Sequence, residues 1–305
     1  MNNVSIKDVL KTPLNIKRLP DSIDLLVEKR IRVNSLNEKV LYSEISGVCD
    51  TNYSDKELIV SLTTYGKRIR EVYLAIESIF QQSMLPNRII LWLSQDEFLG
   101  KQLPMLLQKQ IKRGLEVRYC KDLLSYKKLI PTLKEFPNAD IVTIDDDIIY
   151  PISMLEDLYS SYKDEPKAVH FNRGHKMKLK SSSKFESYTQ WGWEVNDCKY
   201  DTLNFPTGCW GVLYPAGCMD PEVLNEDKFM SICRTADDIW FKAMTLKNNF
   251  GSKKAMSGSE KLFTFIDINA IEDQITPLSQ TNIVLGQNDV QLENVFQCYN
   301  LYEKL

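Results

Sequence analysis

Between residues 57 and 144 four short apolar runs alternate with segments of helical spacing. No other feature restricts the fold as much. ELIVSL (57–62), RIILWLS (88–94), LEVRYC (115–120) and DIVTI (140–144) have the length and β-branched content of buried strands. Val72, Ile76, Ile79 and Phe80 recur at helical spacing and stop near SMLP. LPMLLQKQIKRG (103–114) predicts a second helix with Gly114 just past its end, and SYKKLIPTLKEF (125–136) a third, kinked at Pro131. Strands and helices alternating over short connections make βαβ units. The expectation is an α/β fold with a mostly parallel central sheet and helices on both faces. In such sheets ligands bind beyond the carboxyl ends of the strands. Anything polar immediately after a strand is therefore a site candidate.

Outside that core the texture changes. Residues 1–55 mix charges without a sustained period and read as an N-terminal extension with short helices. Residues 56–250 read as the main domain, and 251–305 as a C-terminal segment closing over its site. Within the later half a helix is expected at 151–163, a strand at AVHF, a helix at TADDIWFKAMTLKNN (235–249) and a β-like run at LFTFIDI (262–268). The polar stretch after AVHF and the segment FPTGCWGVLYP (205–215) read as a less regular, substrate-side half.

Charge and cysteine content narrow the classes. Lys plus Arg number 38 and Asp plus Glu 41, a net charge of −3, which disfavours a general nucleic-acid binder. Seven cysteines at 49, 120, 198, 209, 218, 233 and 298 form no CxxC pair, so metal knuckles and a complete disulfide set are not expected. MNNVSIKDVLKTPLNIKRLP lacks the apolar stretch of a secretory signal, and no apolar window has spanning length. The expected location is cytoplasmic, with room for peripheral docking at the inner face of the plasma membrane.

The sharpest local signal is IVTIDDDIIYP (141–151), three aspartates directly after a buried strand. Side chains alternate in extended chain, so Asp145 and Asp147 share one side and Asp146 takes the other. Two neighbouring carboxylates repel unless a cation lies between them, and hard divalent ions such as Mg²⁺ or Mn²⁺ take carboxylates together with ligand phosphates. A solvated turn, or a cap for the helix near Pro151, explains the same residues without a ligand.

Strand, DxD and helix, preceded by three βα units, resembles the nucleotide-sugar domain of GT-A-fold glycosyltransferases over about residues 57–250. The resemblance implies a GT-A-like sheet made of a Rossmann-like nucleotide-sugar half and an acceptor half. It also implies a nucleotide-diphosphate sugar donor, most simply a UDP-sugar, with Mn²⁺ or Mg²⁺ as cofactor. Asp147 then holds the metal directly, and Asp145 contacts metal or ribose. Asp146 and the loop after the first strand, with Thr63, Thr64, Tyr65 and Arg68, line the donor site. The second strand ends in Ser94-Gln95-Asp96-Glu97 rather than the usual Asp-Asp-Gly-Ser-like turn, so Asp122 is the better match for a base or ribose contact. Lys128, ahead of Lys127, is positioned to reach a diphosphate.

The same resemblance places an acidic pair, Asp237 and Asp238, beneath the acceptor, with Asp238 as the base that takes the acceptor proton. Thr235 to Asp238 also reads as a capping box, whose dipole would keep the base ionised. Thr207, Gly208, Cys209 and Trp210 match the family's pocket-lining segment. Trp191, Trp193 and Trp210 are candidates for sugar stacking, although tryptophans are more often core. His170 and His175 read as ordinary histidines, and Asn288-Asp289 as a helix cap or a lid. The implied activity is transfer, inverting in outcome, to a hydroxyl of a glycan or lipid-linked glycan in cell-surface or capsular polysaccharide synthesis. Two rivals share the aspartates: a phosphotransferase, and a nucleotide- or glycan-binding protein of this fold without turnover.

Overall fold

The computed structural model describes residues 19–51, 53, 55–256, 265–268, 282 and 286–305. The chain divides into two units, Met1–Ser43 and Glu44–Leu305. In the first, Leu19–Tyr42 (α1) is one continuous helix of 24 residues rather than the expected short helices. Leu36 and Val40, four apart, are buried, whereas Val27 and Ile31 are exposed. Charged residues between these positions obscure the apolar period in the sequence.

The second unit is built on a seven-stranded sheet. Its first half runs β1 (Leu58–Thr63), α2 (Val72–Phe80), β2 (Arg88–Ser94), α3 (Met105–Ile111), β3 (Leu115–Cys120), α4 (Ile130–Glu135) and β4 (Asp140–Thr143). After β5 (Ile148–Ile149) come α5 (Met154–Asp164), β6 (Ala168–Phe171), β7 (Gly174–Lys176), β8 (Leu179–Ser181), β9 (Lys184–Phe185), β10 (Asn204–Pro206) and β11 (Val212–Tyr214). The rest is α6 (Glu226–Ile232), α7 (Asp237–Lys247), β12 (Gly251–Lys254), β13 (Ile266–Asp267) and α8 (Gln287–Cys298). The main sheet has the order β12-β6-β11-β4-β1-β2-β3. β1 pairs parallel with β2 and β4, and β12 with β6, whereas β11 runs antiparallel between β4 and β6. The α/β expectation thus holds, with one reversed strand in the middle.

Both faces of the sheet are covered. Ile59, Ile90, Trp92 and Ile141 enter one apolar core. Their strand neighbours Val60, Ile89, Leu91 and Val142 enter the other. That alternation fixes the register, because a slip of one residue would exchange the two faces along a whole strand. Two polar groups inside are matched across elements: Trp92 Nε1 donates to Thr132 Oγ1 at 2.7 Å, and Arg113 forks onto Glu77 at 2.9 and 3.0 Å.

Three local expectations change. The segment 125–136 is not one kinked helix: a 3₁₀ turn at Leu124–Lys128 ends, and α4 starts with Pro131 in its first turn. A missing N–H there removes no helical hydrogen bond. Thr235 does not cap α7; Ala236 is the N-cap, and Thr235 Oγ1 donates to Asn282 Oδ1 at 2.8 Å. α8 begins after Gly286 in a left-handed conformation rather than at an Asn288-Asp289 cap. Asp289 instead accepts from the Tyr188 backbone N–H at 2.6 Å. Of LFTFIDI, residues 262–264 lie outside the described residues, and only Ile266–Asp267 of the rest form a strand, β13. No described helix is long and apolar enough to cross a membrane.

Candidate functional site

A cavity of about 900 Å³ opens where the carboxyl ends of β1 and β4 lie side by side. The parallel register, Ser61 opposite Thr143, brings the loop after β1 against the aspartates after β4. Thr64 Oγ1 donates to Asp146 Oδ2 at 2.5 Å, and Arg68 Nη1 donates to Asp146 Oδ1 at 2.9 Å. The same guanidinium nitrogen pairs with Asp147 Oδ2 at 3.0 Å. The turn is braced from behind, since the Asp145 backbone N–H donates to Tyr150 Oη at 2.8 Å.

The triplet divides between interior and cavity. Asp146 is only 7% exposed, whereas the Asp145 and Asp147 side chains keep 28% and 23% of their surface. Burial, then the charges of Asp145 and Asp146, push the Asp147 carboxyl up to about 7 despite Arg68. Burial also raises Asp146 against the pull of Arg68 and Thr64. β13 adds a carboxylate that no local motif marks: Asp267 pairs with Ile148 of β5, lines the cavity and adds to the charge felt by Asp147.

The second acidic cluster faces the first across the cavity through one cation. Lys128 Nζ lies 3.2 Å from Asp145 Oδ1 and 3.1 Å from Asp237 Oδ2. The contact with Asp237 is a charge contact without hydrogen-bond alignment; Asp237 takes its hydrogen bond from Ser125 Oγ at 2.8 Å, on its other oxygen. Burial opposes the charged lysine, but Asp145, Asp237 and Asp238 outweigh it and hold the ammonium well above its usual range. Asp238 answers to the opposite balance. Burial and then Asp237 push its carboxyl up to about 7, against Lys128 and the Gly208 backbone N–H. The helix dipole alone would have kept it ionised; desolvation beside another carboxylate is the larger effect.

Gly208 is the point of closest approach. A Cβ placed there would lie 2.5 Å from Lys128 Nζ and 2.8 Å from Asp238 Oδ1. Only a residue without that carbon lets the backbone reach both groups. Gly208→Ala is expected to lower the melting temperature and, by about 10²-fold, turnover, since it displaces both the buried Lys128 head and Asp238. Initial rates and a melting curve on the same preparation check this.

Thr63, Tyr65, Asp122, Thr207 and Cys209 also line the cavity. Asp122 accepts from Lys127 and from the Leu124 backbone N–H. Arg68 lies over the Tyr65 ring at 5.2 Å. Trp210 is a sequence candidate that does not line the cavity. Its ring stacks on Phe265 at 4.6 Å, nearly parallel, and its backbone is left-handed at φ 73°. Trp191 is buried in the core, whereas Trp193 reaches the cavity. His170 is an ordinary buried histidine, bonded to Ser161 Oγ at 2.8 Å and pushed down to about 4 by burial. Sequence reasoning passed over Ser125, Arg173 and Glu97; Glu97 accepts from the Gly66 backbone N–H at 2.7 Å. Their signal lies in contacts between segments far apart in the chain, which no local motif carries.

The donor chemistry fits a hard divalent ion. Asp145 and Asp147 offer oxygen ligands on the cavity wall, and Mg²⁺ or Mn²⁺ is commonly held by two carboxylates plus ligand phosphate. Among the described residues no three His, Cys, Asp or Glu gather into a metal cage, so a phosphate ligand would have to complete the shell.

No family model matches the chain, and no curated protein does. Among solved structures it is similar to Staphylococcus aureus TarS residues 1–349, with 12% identity and a TM-score of 0.43 over 67% of this chain and 58% of that one. TarS 1–349 in complex with UDP matches over the same shares at 12% identity and a TM-score of 0.42. Another TarS structure matches at 14% identity and a TM-score of 0.43, with 35% of that chain covered. This chain therefore spans little more than half of the TarS fragment, and a likeness of that degree carries no functional weight beside the site's own geometry.

Proposed function

We propose that the chain is a glycosyltransferase that moves a sugar from a nucleotide-diphosphate donor, most simply a UDP-sugar, to a hydroxyl of a growing surface glycan. One observation carries the reading. A carboxylate-rich wall at the end of β4 and a second acidic pair at the start of α7 share one cavity and are joined by Lys128. Sugar transfer needs both walls: a cationic grip on a leaving diphosphate, and a base for a hydroxyl that is a poor nucleophile until its proton is taken.

Asp145 and Asp147 would hold Mg²⁺ or Mn²⁺ with the diphosphate, and the chemistry such an ion supplies is neutralisation of the departing charge. Arg68 and Lys128 are the chain's own cations on that wall. Asp238, raised to about 7, takes the acceptor proton; a carboxylate of that basicity is far better matched to neutral pH than an ordinary aspartate. Asp237 is held by Ser125 and Lys128 and acts as a positioning residue. A base on the side away from the leaving group gives inversion.

The test is a thermal-shift series with UDP, UMP and several UDP-sugars, with and without Mn²⁺. A ligand that binds only the folded state at 100 times its Kd adds about 2.7 kcal/mol of stability, so the true donor should raise the melting temperature, and further with metal. A flat response to every nucleotide-diphosphate would remove the donor site. A shift without donor hydrolysis or transfer would instead favour a binding protein.

A further inference from the structure

We infer that Trp193 is the acceptor platform of this cavity, a stacking surface for the aliphatic face of an uncharged pyranose ring. The inference rests on the glycosyltransferase reading and adds the class of acceptor to it.

The chain has five tryptophans, and four of them are structural. Trp92, Trp191 and Trp240 are buried, and Trp210 is stacked on Phe265. Trp193 alone both lines the cavity and stays open, with 45% of its surface exposed. An indole left in water at a cavity wall gives up the burial its apolar surface would otherwise gain. Such a ring is what a ligand with an apolar face would cover.

The ring is held rather than loose. His175 lies against it at 4.4 Å between centroids, and Tyr188 meets it edge-on at 5.9 Å. Its Nε1 donates to the Thr189 carbonyl at 3.4 Å, so the polar end is engaged. The next residue, Glu194, is left-handed at φ 53°, a conformation that costs free energy for a residue with a Cβ and tends to persist at functional sites. His175 is the brace for that turn: the Glu194 backbone N–H donates to its Nδ1 at 3.2 Å. Burial, with Arg173 alongside, pushes the imidazole down to about 4, so the accepting lone pair is present at neutral pH.

Contacts also tie the platform to the reacting end. Glu194 pairs with Arg173 Nε at 3.1 Å. Arg173 donates to Cys209 Sγ at 3.2 Å and lies 5.7 Å from the centroid of the Trp210 ring. The loop so gripped carries Gly208, which approaches Asp238. Burial, and after it the Asp238 charge, raises the Tyr188 phenol. A ring lying on Trp193 would face the cavity that Asp238 also lines. The charges at this place are paired, Glu194 with Arg173 and Asp237 with Lys128, which suits an uncharged acceptor.

The experiment is saturation-transfer difference NMR on the full chain with methyl β-glucoside, methyl β-galactoside and methyl N-acetyl-β-glucosaminide at millimolar concentration. The UDP thermal shift is recorded in parallel. Wild type should transfer saturation to at least one glycoside. Trp193→Ala should weaken that binding about tenfold and leave the UDP shift unchanged, and Trp193→Phe should restore part of it. A melting curve for each variant establishes folding; if Trp193→Ala fails to fold, Trp193→Phe against wild type decides. Three results overturn the platform: no glycoside signal in wild type, a signal unchanged in the variants, or a UDP shift lost with the ring, which would put Trp193 on the donor side. Failure of the donor reading appears elsewhere, as a wild-type protein that ignores UDP whatever the glycosides do.

Discussion

Asp238→Asn is expected to slow sugar transfer by about 10²- to 10⁴-fold, the usual range for loss of a general base, while leaving the UDP thermal shift in place. The isosteric amide keeps the shape and the approach of Gly208, so a pure loss of proton-accepting capacity is what the variant reports. A pH profile separates this from a packing effect. Asp238 accepts a proton only when ionised, and burial beside Asp237 has moved its carboxyl up to about 7. Wild-type kcat/KM should therefore rise with pH through about 7 and level off above it. The asparagine variant should lack that limb. Asp237→Asn should cost less, because Ser125 and Lys128 already hold Asp237 in place and leave it no part in the proton transfer. Equal losses in both variants, or an unchanged limb in Asp238→Asn, would exclude Asp238 as the base.

The first half of the fold was legible because β1, β2 and β4 are buried and read as apolar runs, while β3, half-buried at the sheet edge, keeps the alternation of a strand. The βαβ expectation and the alternation of Asp145, Asp146 and Asp147 both stem from local period. β11 was not legible in the same way. Its three residues, Val212–Tyr214, form a short run inside a Gly- and Pro-containing segment, and nothing local says that it will run antiparallel between β4 and β6. Asp267 and Arg173 reach the cavity only through pairings between distant segments, β13 with β5 and Arg173 with Glu194. The electrostatic reading of the triplet also needed tertiary contacts. Sequence reasoning asked for a divalent ion because two carboxylates repel, yet Arg68 already bridges Asp146 and Asp147, and Lys128 already meets Asp145. The protein thus supplies part of the counter-charge itself, and Asp147 is still pushed up to about 7 by burial and then by the charges of Asp145 and Asp146.

Lys128→Met is expected to destabilise the fold by about 3–5 kcal/mol near pH 8, the cost of removing one partner of a buried ion pair. The lysine is buried, and its nearest carboxylate oxygens are those of Asp145 and Asp237. Without it Asp237 and Asp238 face each other beside the core with only Ser125 and the Gly208 backbone as partners. The pH dependence has a definite sign. In the unfolded chain an aspartate titrates near 3.8, whereas in the fold Asp238 already stands at about 7 and would rise further without the lysine. Between those values both folded proteins bind a proton that the unfolded chain does not; above about 7 the wild type releases it while the variant still holds it, so the gap between the two opens there as pH rises. The deficit of the variant should therefore be small near pH 5 and largest near pH 8, as read by denaturant melts across that range. Adding Asp237→Asn should recover much of the stability by removing the stranded charge, but not the transfer activity, which still lacks the cation on the donor wall. A deficit that is independent of pH would mean that Lys128 acts through packing alone, and the electrostatic link between the two acidic walls would have to be abandoned.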